Sequence, residues 1–224
     1  MLFVFLLFNL YYVDQPYLST PEHASFDIQL RFGPVGEIIG FFNIGVWDRF
    51  GFGISYGASN LIGAGNPEFY ELPGVQAKIV AVEEGITVPK LIFGFDNQGY
   101  GEYDGTRYDI RAKWLYAQVG KTFSYPGLSF VPSFGLNYSL EGENQFDLFF
   151  GSSLQFGTGS AFIVDYSPNF GDPRDHNMGY LNISLKFIFY EELFFEFALR
   201  DLLGNSRGNF QLNRMIRLGY EQSF

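Results

Sequence analysis

The chain has 224 residues, which suits one domain, with 28 Phe, 15 Tyr, 27 Gly, no Cys and a formal net charge of −10. Soluble cores rarely hide so much Phe, whereas a sheet facing lipid points it outward. The mean hydropathy of +0.03 fits polar and apolar residues that alternate. The acidic balance argues against a nucleic-acid partner, and no window of about 18 apolar residues follows the N-terminus, which argues against a helical membrane protein.

Met1 to Leu10 is apolar and about the length of a signal-peptide core, but no Lys or Arg precedes it and no clear small-x-small cleavage site follows. It reads as a truncated or atypical export signal, the alternative being a membrane-inserted or barrel-plugging segment. Asp14 to Glu22, with Pro16 and Pro21, reads as an extended linker. Residues 1–23 are therefore set apart from a single domain spanning 24–224.

From Ala24 onward, alternation and turn residues divide the chain into twelve candidate strands: 24–33, 37–47, 50–58, 74–83, 90–97, 107–121, 128–139, 145–156, 160–167, 179–190, 193–202 and 209–224. In the seventh, Leu128, Phe130, Pro132, Phe134, Leu136 and Tyr138 alternate with Ser129, Val131, Ser133, Gly135, Asn137 and Ser139. In the tenth, Leu181, Ile183, Leu185, Phe187 and Phe189 alternate with Asn182, Ser184, Lys186 and Ile188. Pro132 lacks a ladder donor, so a bulge is expected there. Short connections follow the even strands and the long ones follow odd strands, the asymmetry of an outer-membrane barrel with both termini in the periplasm. The fold predicted is all-β: a transmembrane antiparallel up-and-down β-barrel of about twelve strands, anchored in lipid by Phe, Leu and Ile. Trp114, Tyr116 and Tyr220 are expected in its aromatic girdles.

The polar faces of these strands carry Asp27, Asp96, Asp109, Asp147, Asp165, Glu196 and Glu221 against Arg31, Lys78, Arg111, Lys113, Lys186, Arg200 and Arg217. The two sets balance, so the net charge falls on linker, turns and loops. Mixed charge on inward faces is costly in a dry core and reasonable in a hydrated or hydrogen-bonded lumen. Asp109, Arg111 and Lys113 on the sixth strand are the sharpest lumen feature. They could line a solute path, grip an acidic sugar, or pair with Asp96 or Asp147 and seal the barrel.

The last segment, Asn209 to Phe224, alternates apolar and polar residues and ends on an aromatic. It resembles the closing strand of outer-membrane barrels, with Arg217, Gly219 and Phe224 matching an assembly signal read by the barrel-assembly machinery. Gln222 departs from the apolar residue usual at its position.

No catalytic group stands out. Nucleophilic catalysis needs a Ser activated by His, yet His23 falls in the linker and His176 in a loop with no Ser two residues away. Asp175-His176 could activate water only if a substrate reached both. Asp96 to Gly105 lacks the ligand spacing of a Ca²⁺ loop and reads as a glycine-rich hairpin turn, and two His without Cys make a poor zinc site. No metal, cofactor or enzymatic role is expected; an outer-membrane hydrolase is the third reading.

The run from Asp48 to Lys121 contains DRFGFGISYGASNLIGAGNP, PGVQAKIVAVEEGITVPKLIFGFDNQGYGEYDG and RYDIRAKWLYAQVGK. It resembles the YjbH-type outer-membrane barrels, a family associated with exopolysaccharide production, over about a third of the chain. The resemblance implies an envelope role near polysaccharide secretion and supplies no catalytic residues. Together these readings predict an outer-membrane barrel of a Gram-negative-type bacterium that acts as a passive pore or envelope scaffold for polysaccharide or small solutes. A sealed barrel acting through its long loops is the alternative.

Overall fold

Alternation decides the architecture. A strand with Phe or Ile at every second position and Gly, Ser or a charged residue between presents two incompatible faces, and closing the sheet gives each face its own solvent. The computed structural model describes residues 25–63, 65–142, 146–157, 159–170, 179–190, 192–205 and 213–223. The strands in chain order are β1 (Ser25–Phe32), β2 (Ile38–Val46), β3 (Phe50–Ser59), β4 (Glu68–Phe69), β5 (Gly74–Val82), β6 (Lys90–Asp96), β7 (Tyr100–Tyr103) and β8 (Tyr108–Ile110). They continue with β9 (Trp114–Gly120), β10 (Phe123–Tyr125), β11 (Leu128–Tyr138), β12 (Phe146–Phe156), β13 (Ser160–Ser167), β14 (Tyr180–Phe189), β15 (Leu193–Arg200) and β16 (Asn213–Ser223).

The barrel strands pair antiparallel with their neighbours in sequence except at the β9–β11 seam, where β10 pairs antiparallel with β11 and β9 meets it at the single bridge Tyr138↔Trp114. β16 closes on β1 in continuous register from Ser25↔Ser223 to Phe32↔Ile216. Counting β9 and β10 as two pieces of one strand, and leaving out β4, β7 and β8, the barrel has twelve strands, as the alternation predicted. Closure leaves no sheet edge, the condition for strands to cross lipid, where each unpaired backbone group would cost several kcal/mol.

The bulge expected at Pro132 is not found in β11; the interruption lies on the neighbouring strand instead. β11 runs through Pro132↔Ser152 against β12 without a break, while the opposite neighbour splits into β9 and β10 at Lys121-Thr122. Lys121 N–H donates to the Pro132 carbonyl at 3.2 Å. In an antiparallel ladder a residue's N and O face the same neighbour, so the proline's missing donor is felt there.

The outer surface carries Ile28, Leu30, Phe52, Phe93, Leu115, Phe134, Leu185, Phe187 and Leu218, all exposed. Trp47, Tyr125 and Tyr190 stand exposed near the short turns, at the end that holds Ser25 and Ser223. Tyr116, predicted for a girdle, is instead buried inside the barrel, where its ring covers Gly94 directly across the β6–β9 pair. The same device recurs twice. Phe149 covers Gly135 across β11–β12, and Phe194 covers Gly219 across β15–β16; a Cβ at either glycine would lie about 2.1–2.2 Å from ring carbon. Inward glycines thus make room for inward aromatics, and the wall from β11 to β16 is lined by Phe149, Ile163, Ala198 and Met215 rather than by water-facing groups alone.

One long connection departs from the predicted plan. The sixth candidate strand, 107–121, is not a single wall strand: its first part pairs with β7 as β8 in a separate two-stranded hairpin, and the wall begins only at Trp114. This hairpin contains the glycine-rich turn expected within Asp96 to Gly105. Tyr100 and Ile110 share one apolar cluster with the wall residues Val80, Ile92, Tyr116, Phe149, Tyr180 and Met215, so the hairpin lies within the barrel.

Candidate functional site

The barrel interior divides into a filled region and a polar cup, and the hairpin separates them. At the end away from the short turns, the Tyr100 ring lies 4.2 Å from the Arg31 guanidinium carbon on β1 and 5.1 Å from that of Arg200 on β15. The hairpin that leaves β6 therefore reaches the wall around β15, β16 and β1. Arg200 lies 3.9 Å from Glu37, and the Glu37 carboxylate accepts a hydrogen bond from the Tyr70 hydroxyl. Tyr70 in turn packs edge-on against Tyr108 at 5.7 Å. The long β3–β5 connection and the hairpin thus meet over one buried carboxylate. Burial, with the Glu37 charge second, pushes the Tyr70 hydroxyl well above the ordinary tyrosine range; burial, with Glu141 second, pushes Tyr108 up to about 12.

Glu141 holds the other edge of the hairpin. Its carboxylate accepts the Tyr108 backbone N–H at 3.2 Å and the Trp114 indole N–H at 3.1 Å. Trp114 has a left-handed φ of 56° and packs edge-on against Phe95 at 5.6 Å. Burial raises the Glu141 carboxyl above its usual range.

The residues predicted to line the lumen fall into three groups. Asp109, Arg111 and Lys113 are not on the wall: Asp109 belongs to β8, and the other two lie between β8 and β9. Arg111 is buried and donates to Asn169 at 3.1 Å, while Lys113 is buried 3.8 Å from Asp96 and 4.4 Å from the Tyr116 ring centre. Their alternation, polar at odd positions through Lys113, does not continue past the left-handed Trp114, beyond which Leu115 and Val119 take the odd positions. Asp147 accepts from Ser167 at 2.8 Å and Asp165 from Asn182 at 2.6 Å, so these two brace neighbouring strands.

The second group sits toward the short-turn end. Arg217 lies 3.2 Å from Glu196 across the β15–β16 pair, and Lys186 places its ammonium 3.8 Å from the Phe194 ring centre. Both bases and Glu196 are buried. The assembly-signal residues are split: Arg217 and Gly219 face inward in these contacts, and Phe224 lies outside the described residues. His23, Asp175 and His176 lie outside them too.

The third group surrounds the cup, about 850 Å³ of empty space with open solvent included, bounded by β1, β2, β3, β5 and β6 and capped by Tyr100. Asp27, Arg31, Lys78 and Asp96 contribute to its lining, and Arg217 of the second group reaches it as well. The strand that makes the room is β3, whose inward positions are Gly51, Gly53, Ser55 and Gly57 while Phe52, Ile54 and Tyr56 are exposed. Around it, Asp27 accepts from Gln29 at 2.7 Å and from Asn43 at 2.8 Å. Asp96 accepts the Gln98 N–H at 3.0 Å, and Gln98 accepts from the Ser55 hydroxyl at 2.8 Å.

Sequence reasoning missed Glu37, Tyr70, Tyr100, Gln98 and Glu141. Glu37 had a usable signal, since it shares the inward parity of Ile39, Phe41 and Asn43. The others come from connections, where alternation carries no information.

No protein-family model and no curated protein matches this chain. Solved structures do. A KdgM porin superimposes with a TM-score of 0.51 at 12% identity, covering 89% of this chain and 99% of its own. A KdgM porin in complex with disordered oligogalacturonate gives 0.50 at 11% identity over 89% of this chain and 99% of its own. A NanC porin gives 0.53 at 8% identity over 89% of this chain and all of its own. At these identities the likeness is one of fold, and the fold is that of a porin-type β-barrel.

Proposed function

We propose that this protein is a passive barrel of a Gram-negative-type outer membrane, a pore of narrow bore whose interior admits small hydroxylated solutes. One observation carries the reading. A polar cup is enclosed by a closed barrel whose outer face is apolar, and side chains from the wall and from the β7–β8 hairpin, not an unbroken core, bound it. The oligogalacturonate held by a KdgM neighbour supports saccharide passage as the task. The resemblance of residues 48–121 to YjbH-type barrels supports a role beside exopolysaccharide export. The interior contacts are hydrogen bonds and ion pairs between wall and hairpin, an arrangement for selection and not for catalysis.

Liposome swelling tests this directly. Vesicles carrying the refolded protein should swell in isotonic monosaccharide or disaccharide and resist larger oligosaccharides. Vesicles that fold the protein yet exclude every sugar would overturn the pore. They would favour the sealed barrel, for which the contacts of Tyr100 with Arg31 and Arg200 are the structural case.

A further inference from the structure

The cup has a hydrogen-bonding polarity that narrows what it can take. Asn43 directs its amide N–H groups to the Asp27 carboxylate, 2.8 Å from each oxygen, and its Oδ1 lies over Gly53. Gln76 does the same from the opposite side: its amide nitrogen donates to Ser55 at 3.0 Å and to Asp96 at 3.4 Å. Gln76 Oε1 is buried and takes no hydrogen bond from any described residue. A Cβ built on Gly53 would come within 1.9 Å of the Asn43 oxygen and 3.0 Å of the Gln76 oxygen. Two amide acceptors therefore converge over a position where the chain has no side chain.

Charge sets the second condition. The carboxylates of Asp27 and Asp96 face the same space as Arg31, Lys78 and Arg217, and Arg217 is engaged by Glu196 at 3.2 Å. With Glu196 balancing Arg217, the two carboxylates face the charges of Arg31 and Lys78, so the lining carries no net charge to favour a ligand of either sign. What satisfies the converging acceptors without adding charge is a hydroxyl. Phe41, Tyr100 and Tyr116 add aromatic surface to the lining, against which the C–H face of a sugar ring can rest.

We infer that the cup is a binding site for a neutral saccharide, with the Asn43 and Gln76 amide oxygens accepting from sugar hydroxyls above Gly53. This deepens the proposed function and rests on its saccharide reading, though not on passage, since a cup can be filled in a barrel that does not conduct. Both amides must turn to bring these oxygens to a ligand, because Gln76 Oε1 is buried and Asn43 Oδ1 lies against Gly53. A backbone without Cβ at Gly53 leaves them that freedom.

Equilibrium binding to the detergent-refolded full chain, followed by saturation-transfer NMR, tests the inference with cellobiose, digalacturonate and the fully deacetylated chitosan dimer as neutral, anionic and cationic probes. Cellobiose should bind and the charged dimers should bind at least about tenfold more weakly. Asn43→Leu with Gln76→Leu should weaken cellobiose about tenfold, the order expected when two net hydrogen bonds are lost. Gly53→Val, whose Cβ would displace the Asn43 oxygen, should weaken it comparably. Heat-modifiable migration on gels checks that each variant folds, and the ranking of the three probes decides the matter on the wild-type chain alone. Tighter binding of either charged dimer, or no binding of cellobiose, would overturn the site. Loss of swelling with cellobiose binding intact would sink the pore instead and leave the site standing.

Discussion

Tyr100 stacks on Arg31. The ring belongs to a hairpin that leaves the wall at β6 and enters the interior, and the guanidinium belongs to β1 on the other side, 4.2 Å from ring centre to guanidinium carbon. The contact fastens an inserted segment to the wall by a cation over an aromatic face, worth about 0.5–2 kcal/mol according to how dry the site is. Tyr100→Ala should therefore loosen the hairpin without unfolding the barrel. Faster amide exchange at Tyr103 and Ile110, with unchanged exchange in β12 and β14, is the expected pattern. Uniform loss of protection would show that the hairpin is integral to the wall.

Alkaline pH should act on the same segment. Tyr108 is pushed from an ordinary 10.0 up to about 12, mainly by burial. A group whose folded pKa is raised stabilises the folded arrangement below its unfolded value and ceases to do so as pH rises through the folded one. The inserted hairpin should thus hold up to about pH 10 and release between about 10 and 12. Tyrosinate absorbance rising in step with ion conductance is the expected record; Tyr108→Phe should shift the release.

Outward facing is tested at Phe187 and Phe134, exposed on β14 and β11. Either residue replaced by Arg should cost about 2–4 kcal/mol of insertion if it meets lipid at mid-bilayer. Refolding into vesicles under denaturant measures it, and wild-type midpoints for both would contradict the facing.

The covered glycines make the opposite case, inside the wall. Gly135→Leu would place a side chain where the Phe149 ring lies 2.1 Å from the position of its Cβ. Overpacking should cost about 1–3 kcal/mol, and Gly135→Leu with Phe149→Ala should recover part of it. A single variant as stable as wild type would show the ring free to leave.

The wall was legible in the sequence because lipid outside and polar groups inside impose a period of two on nearly every strand. Leu181 to Phe189 and Leu128 to Tyr138 face as their alternation says, and the connection lengths fix their order. The hairpin was not legible. Tyr108-Asp109-Ile110 alternates as well as any wall strand, and the break shows only at the left-handed Trp114, where the inward parity passes from Asp109 to Tyr116 and Gln118. The cup was half legible: Asp27, Arg31 and Lys78 follow from parity. Glu37 has the same parity, but its partner Tyr70 comes from a connection, and the pairing of Tyr100 with Arg31 joins residues that share no neighbouring strand.

In the proposed pore, the β7–β8 hairpin narrows a hydrated lumen. Single-channel conductance in a planar bilayer tests it most directly, comparing the wild-type chain with a variant in which residues 100–110 are replaced by a short Gly-Ser linker. Small steps in the wild type that grow severalfold in the variant, with ion selectivity shifted by Lys78→Glu, are the predicted result. Two folded proteins that are equally silent would contradict it and show a barrel sealed by its own wall.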